Sequence, residues 1–402
     1  MENVNDKQPL LSIDNLKTYF KFHGMEWTFS VDQKLFEMLQ MRPSFEPNPV
    51  EKKAKEDYWR LGKEQRVIDG HDYTHETIDE TIEVKAVDGA TITLHEEESI
   101  SIIGETGCGK STLLLSILNF PLPHISYRGG FINYYLPEND VPVNLLALTD
   151  REMEKYRGLH LAFIPQLPKE ALNPWFQIGF QSGEILLERL SWRQEKIRER
   201  VIEFLGKVAL PDPGTNIEKY VHQLSVGEAQ RVCIAMALIG DPRILLADEP
   251  LSALDTTIQA QVIELLQTLK TELGSSYIFA THNIGAAGEL GDIIAVMYGG
   301  EIVEISPVSK FFFGEPLHPY SKGLLAATPW YAMRKGTSIQ EIPGELPKPH
   351  HWPSGCKFHP RCKSVMEKCI RMKPPRIKIE EAFVDYNEIG NYGEIVCPID
   401  WG

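Results

Sequence analysis

No apolar run in the sequence approaches the roughly 18–20 residues that a membrane-spanning helix requires. The first residues, Met1-Glu2-Asn3-Val4-Asn5-Asp6, lack the basic segment and apolar core of a secretion signal, so the expectation is a chain neither secreted nor membrane-spanning. Positive charge is in deficit as well. Lys and Arg number 41 against 56 Asp and Glu, a formal charge of −15, and such a balance disfavours nucleic acid as a principal partner. Cysteine is scarce and unevenly placed: four of the six lie after residue 355. In a chain of this kind they point to metal or redox chemistry before disulfides. What remains is a 402-residue chain, long enough for one large domain with a real core and a smaller one.

Its most informative segment is Gly104-Glu105-Thr106-Gly107-Cys108-Gly109-Lys110-Ser111, followed by Thr112. An apolar run, Ser99 to Ile103, feeds it, and an apolar-rich segment, Leu113 to Leu118, leaves it. Strand, glycine loop and helix in that order are what a phosphate-binding loop needs, since backbone N–H groups can wrap an anion only where side chains stay clear and a helix N-terminus faces it. Lys110 then balances β- and γ-phosphate charge, and Ser111 offers a hydroxyl to Mg²⁺. Further on, Ile244-Leu245-Leu246-Ala247 reads as a buried parallel strand that delivers Asp248 and Glu249 to its C-terminal end. There Asp248 is placed to hold Mg²⁺ through water and Glu249 to activate an attacking water. Asp255 opens a helix whose apolar positions Ile258, Val262, Leu265, Leu266 and Leu269 follow the helical period, and the strand Tyr277 to Ala280 runs into Thr281-His282-Asn283. His282 stands where a contact to a γ-phosphate would be useful.

Two more motifs complete the pattern: Gln166 after the strand-like Leu161 to Pro165, and Leu224-Ser225-Val226-Gly227-Glu228-Ala229-Gln230-Arg231 before a helical run. In this order, across roughly residues 10–305, the motifs resemble an ATP-binding cassette, the motor subunit of ABC transporters. The resemblance implies an α/β P-loop NTPase fold, a mixed sheet core with a helical subdomain at residues 160–240. It makes Gln166 the Q-loop glutamine and a further Mg²⁺ contact, Ser225 to Glu228 the signature, Asp255 the D-loop aspartate and His282 the switch histidine. Two such cassettes pair head to tail, and Ser225 and Gly227 would close over ATP held by the partner's phosphate loop. Val226 replaces the usual first glycine of the signature and Glu228 the usual glutamine. The strand Leu16 to Phe20 resembles the family's first, with Phe20 as the aromatic that stacks on adenine and Tyr19 as the alternative.

Beyond the cassette, Ala295 to Glu304, His318-Pro319-Tyr320, Ile342-Pro343-Gly344-Glu345 and Ser354-Gly355-Cys356-Lys357-Phe358-His359-Pro360-Arg361-Cys362 resemble the ATPases of oligopeptide and dipeptide transporters. Four cysteines in this stretch, Cys356, Cys362, Cys369 and Cys397, suit Zn²⁺ or an iron–sulfur cluster, although C-x5-C-x6-C is not the spacing of common zinc modules. The resembled family implies a 4Fe-4S cluster, with Zn²⁺ the alternative. Cys108 and Cys233 are expected to bind no metal. The sequence thus divides into a nucleotide-binding domain at residues 1–20 and 84–305, an insertion at 21–83 that the family lacks, and a small cysteine-containing extension at 306–402. His71, Asp72 and His75 in the insertion have metal-ligand spacing, but a solvated helix face is the better account of them.

The function these readings imply is an ATP-hydrolysing subunit of an importer for peptides or a related solute, such as an oligosaccharide or nickel. Its expected cofactors are ATP, Mg²⁺ and the 4Fe-4S cluster. The expected partners are a second, different ATPase subunit, two transmembrane permease subunits and a solute-binding protein outside the cell, with no nucleic acid. The place is the cytoplasmic face of the cell membrane. The competing reading is a soluble ABC ATPase of translation or DNA maintenance that carries an iron–sulfur domain.

Overall fold

The structure, a computed structural model, describes residues 9–23, 81–379 apart from 253 and 315, and 393–395. Two sheets organise it. The smaller is antiparallel, in the order β2-β1-β4-β5, and consists of β1 (Pro9–His23), β2 (Thr81–His95), β4 (Ile125–Tyr134) and β5 (Val143–Asn144). The larger has eight strands in the order β11-β12-β10-β9-β3-β8-β7-β6. Its parallel part contains β3 (Ser99–Ile103), β6 (Leu161–Ile164), β7 (Ile244–Asp248), β8 (Ser276–Thr281) and β9 (Ile293–Tyr298). To this, β10 (Glu301–Pro307), β11 (Ile377–Ile379) and β12 (Gly393–Ile395) add an antiparallel edge. Every residue of β3, β7 and β8 is buried, as expected of parallel strands covered on both faces.

Helix α1 (Lys110–Ile117) packs between the two sheets, and the buried hydroxyls of Thr18 and Ser116, 2.9 Å apart, fasten β1 to it. The core here joins Leu16, Phe20 and Val87 of the small sheet to Leu113, Leu114 and Ile117 of α1 and Ile102 and Leu246 of the large one. A second core lies under three helices, α2 (Ile178–Leu190), α3 (Gln194–Lys207) and α4 (Val226–Leu238), and extends to α5 (Thr256–Leu273). Helix α5 starts where Asp255 Oδ1 accepts the N–H groups of Thr257 and Ile258, at 3.1 and 3.0 Å, and stops at left-handed Gly274. It buries Val262, Leu266 and Leu269 on the face that the sequence period marks, with Ile258 and Leu265 at its margin.

The third core brings the C-terminal segment onto the same sheet. Helices α6 (Ile284–Leu290), α7 (Val308–Phe313), α8 (Pro319–Ala326) and α9 (Pro329–Lys335) lead to a loop-rich stretch ending in α10 (Glu367–Arg371). Phe311, Phe312, Tyr320, Leu325 and Phe358 share one core with Ile103, Val296 and Tyr298 of the central strands. Burying Tyr298, Tyr320 and Phe358 together, at ring separations of 4.6–5.3 Å, holds the segment by apolar contact. The insertion residues Trp27 to His75 lie outside the described residues, as does Cys397.

Candidate active site

Gly104 leaves β3 where a Cβ would stand 2.2 Å from the Met297 carbonyl oxygen, and Gly109, at φ 108°, where one would stand 2.1 Å from that of Ala86. Only glycine fits these two positions, so the loop lies close against the sheet before α1 begins. Lys110 is 5% exposed and folds back along the loop: Nζ donates to the carbonyls of Gly104 at 2.9 Å and Glu105 at 3.3 Å. Cys108 is buried beneath, its N–H on Glu105 and its carbonyl on Gly300. Thr106 and Gly107 form the loop's tip, Gly107 in the left-handed region, while Ser111 and the buried Thr112 stand in the first turn of α1.

Four of the expected residues meet at one carboxylate. Glu249 Oε2 accepts Gln166 Nε2–H at 3.1 Å and lies 3.0 Å from His282 Nδ1, while Oε1 lies 3.9 Å from Lys110 Nζ. Four sequence-distant segments deliver these side chains: the ends of the parallel strands β6, β7 and β8, and the loop after β3. Glu249 takes φ 43°, which costs a non-glycine residue about 1–2 kcal/mol. Three bonds hold it there: its N–H to Ala280 O at 2.8 Å, and the Ser252 N–H and Oγ–H to its own carbonyl, both at 3.1 Å. Backbone strain at a carboxylate that must be aimed is characteristic of a reacting site. Asp248, the last residue of β7, is 6% exposed beside it.

The signature lies apart, at the N-terminus of α4. Ser225 Oγ accepts the Glu228 N–H at 3.2 Å and Glu228 Oε2 accepts the Ser225 N–H at 2.8 Å. Glutamate in place of glutamine therefore completes a capping box, and these bonds hold its carboxyl below the ordinary range. Val226 is the first helical residue and 39% exposed, so its β-branch is accommodated without local strain. A Cβ at Gly227 would meet only Ile258, at 3.6 Å. The polar contacts of Ser225 and Asp255 are with their own helical turns, and neither touches the phosphate loop of the same chain.

One expectation needs correction. Phe20 is 1% exposed inside the first core and offers no face to an adenine. Leu16, Thr18 and Phe20 all point inward, as strand alternation requires, which turns Tyr19 out. Tyr19 lies 5.3 Å from the Tyr127 ring and donates its hydroxyl to Asp88 Oδ1 at 2.6 Å, and its burial there raises the phenol pKa. Burial would also lift the Asp88 carboxyl, yet hydrogen bonds from Tyr19 and from Lys357 (2.9 Å) outweigh it and hold it at about 2. Among the described residues no group of three His, Cys, Asp or Glu side chains is placed to hold a metal ion. Cys356, Cys362 and Cys369 belong to one stretch, in which the Cys356 N–H donates to the Cys369 carbonyl at 2.8 Å, and Cys397 lies outside the described residues. No disulfide links the five described cysteines; burial raises the Cys362 thiol pKa, and that of Cys233 to about 12.

Sequence reasoning missed two residues that reach the loop from the C-terminal segment. Arg361 forms a forked pair with Glu105, at 2.6 and 2.9 Å, and Tyr320 Oη accepts the Glu105 N–H at 3.0 Å. The signal was Glu105 itself, an acid in a loop built for anions, which calls for a nearby cation.

Comparison with known proteins agrees with this geometry. Residues 87–252 match the family model for the ABC transporter, and residues 303–369 that for the C-terminal region of the oligopeptide/dipeptide transporter. A peptide import ATP-binding protein of Brucella melitensis is 40% identical over 291 residues, which span 72% of this chain and 85% of that protein. The chain is an ABC transporter ATP-binding protein of the oligopeptide/dipeptide family. A second such protein, from Brucella ovis, is 38% identical over 308 residues, 74% of this chain and 90% of that one. A solved ATP-binding cassette, described as a dimer in a post-hydrolysis state bound to ADP and Pi, aligns with TM-score 0.49 and 28% identity over 58% of this chain and 94% of that chain. As a member of this family, the ABC ATPase hydrolyses ATP and works with transmembrane partners. Among the described residues no helix is long and apolar enough to cross a membrane.

Proposed function

We propose that this ABC ATPase drives the import of dipeptides or oligopeptides through separate permease subunits, from the cytoplasmic face of the cell membrane, in complex with a second, different cassette and a solute-binding protein. The observation that carries the catalytic part is the convergence of Lys110, Gln166 and His282 on the Glu249 carboxylate. The cargo is supported by the C-terminal family match and by the names of the relatives; the same match disfavours a soluble ATPase of translation or DNA maintenance.

The reaction is phosphoryl transfer to water, in which positioning and charge stabilisation do most of the catalysis. Residues Gly104 to Thr112 cradle the phosphates, with Lys110 released from the loop carbonyls onto the β- and γ-phosphates. Tyr19, turned outward beside Tyr127, takes the place expected of Phe20 as the residue facing adenine. Ser111 and Asp248, hard oxygen donors at the start of α1 and the end of β7, fit Mg²⁺, with Gln166 in reach of the same corner. The ion would neutralise phosphate charge. Glu249 exchanges one of its present partners for the attacking water and takes its proton, and His282, 54% exposed in its side chain, turns to the γ-phosphate. Ser225 and Gly227 close over the partner's nucleotide, and Asp255 lines the same junction. We keep the nucleotide-binding domain at residues 1–20 and 84–305, its helical part at 160–240, the insertion at 21–83 and the extension at 306–402 as the working division. The 4Fe-4S cluster rests on the family resemblance and the four cysteines of the extension, and no step here depends on it.

Glu249→Gln tests the catalytic reading. The amide keeps the shape of the side chain and its contacts but cannot accept the proton, so ATP binding persists while hydrolysis falls about 10²- to 10⁴-fold. Hydrolysis near the wild-type rate would remove Glu249 from its role.

A further inference from the structure

The phosphate loop is held from outside the cassette motifs. Glu105 is fixed at each of its polar groups: the N–H by Tyr320 Oη at 3.0 Å, the carboxylate by both terminal nitrogens of Arg361 at 2.6 and 2.9 Å, and the carbonyl by Lys110 Nζ at 3.3 Å. Arg361 is itself 6% exposed. Its Nε donates to Pro343 O at 2.9 Å and its guanidinium lies 5.9 Å from the centre of the Tyr298 ring, so its position is set by the C-terminal segment. The same segment places Leu346 beside the loop's tip, 3.8 Å from where a Cβ on Gly107 would stand. The Glu105 hydrogen bonds raise the guanidinium pKa further, so Arg361 stays charged at any working pH.

An unpaired carboxylate in this loop would repel a triphosphate and leave the Glu105 side chain without its anchor. We propose that Arg361 is a positioning residue for nucleotide binding: by neutralising Glu105 and fixing the direction of its side chain it makes the C-terminal segment part of the ATP site. This rests on the nucleotide reading of the loop and extends it to a residue outside the cassette. A forked pair is suited to the task, because two parallel hydrogen bonds fix direction as well as charge. Arg361 directly precedes Cys362, so whatever alters the conformation of that stretch is felt at the phosphate loop.

Equilibrium titration of the full-length chain with ATP, beside thermal melting without nucleotide, tests the proposal. Arg361→Gln should weaken ATP binding about 5- to 100-fold, the usual range for breaking a coupled pair. In the complex with its partners the ATP KM should rise more than kcat falls. The deciding variant is the double one, Arg361→Gln with Glu105→Gln. With the bare carboxylate gone it should bind ATP more tightly than Arg361→Gln alone, whereas a merely structural arginine would leave the double variant no better. Arg361→Lys, which keeps charge but not the fork, should fall between wild type and Arg361→Gln, and serves if the glutamine variant does not fold. Wild-type affinity in a folded Arg361→Gln or Arg361→Lys protein, or a double variant as weak as the single, would overturn the proposal while leaving the nucleotide site standing. A wild-type chain that binds no ATP would overturn the site itself, and the clamp with it.

Discussion

His318 is 1% exposed, and burial depresses its pKa from 6.5 to about 3. It caps α8, with Nδ1 accepting the Tyr320 N–H at 3.1 Å, and packs 5.9 Å from the Phe358 ring. Unfolded chains take up a proton below pH 6.5 that folded His318 refuses until about pH 3. Stability from this residue is therefore full above 6.5 and declines as pH falls, by about 1.4 kcal/mol per unit. Between pH 7 and pH 5 the loss comes to about 2 kcal/mol, because half of the first unit is spent above the unfolded pKa. His318→Asn keeps a side-chain oxygen for the cap and does not titrate. Glu304, whose carboxylate accepts the N–H groups of Leu317 and His318 and whose pKa burial raises, remains in both proteins. Urea unfolding followed by tryptophan fluorescence at the two pH values should show the wild type losing about 2 kcal/mol more than the variant. Equal losses would refute a neutral, buried His318.

Other outcomes follow from the same geometry. Val226→Gly, which removes an exposed β-branched side chain beside Gly227, should raise hydrolysis chiefly at the site built on the partner's phosphate loop; site-specific nucleotide trapping in the complex reads this, and a gain confined to the Lys110 site contradicts it. Protein purified without oxygen should contain about four irons per chain if Cys356, Cys362, Cys369 and Cys397 hold a cluster. Zinc without iron, or neither metal, rejects it.

Motifs contiguous in sequence were legible because each adjoins an apolar run that fixes its place. Ser99 to Ile103 and Ile244 to Ala247 could only be buried strands, so Gly104 and Asp248-Glu249 had to emerge at the same edge of the sheet. The meeting of Gln166, Glu249 and His282 follows from that placement. What was missed depends on packing across distance. Arg361 and Glu105 are 256 residues apart, and nothing local in the F-H-P-R-C run shows which acid the arginine reaches. Tyr19 against Phe20 was decidable: Leu16, Thr18 and Phe20 alternate inward, a period visible in the sequence but overridden by the family resemblance. The cysteines were legible in part: the Cys356 N–H meets the Cys369 carbonyl at 2.8 Å, and Cys397 lies outside the described residues.

The most direct test of the whole account is ATP hydrolysis by the complex of this chain with its permease partners in lipid vesicles, measured with and without peptide and its binding protein. Peptide should stimulate hydrolysis and accumulate in the vesicle lumen, and Lys110→Ala, which removes charge from the phosphate site, should abolish both. Hydrolysis that ignores peptide, or that proceeds at full rate in the Lys110→Ala complex, would contradict it.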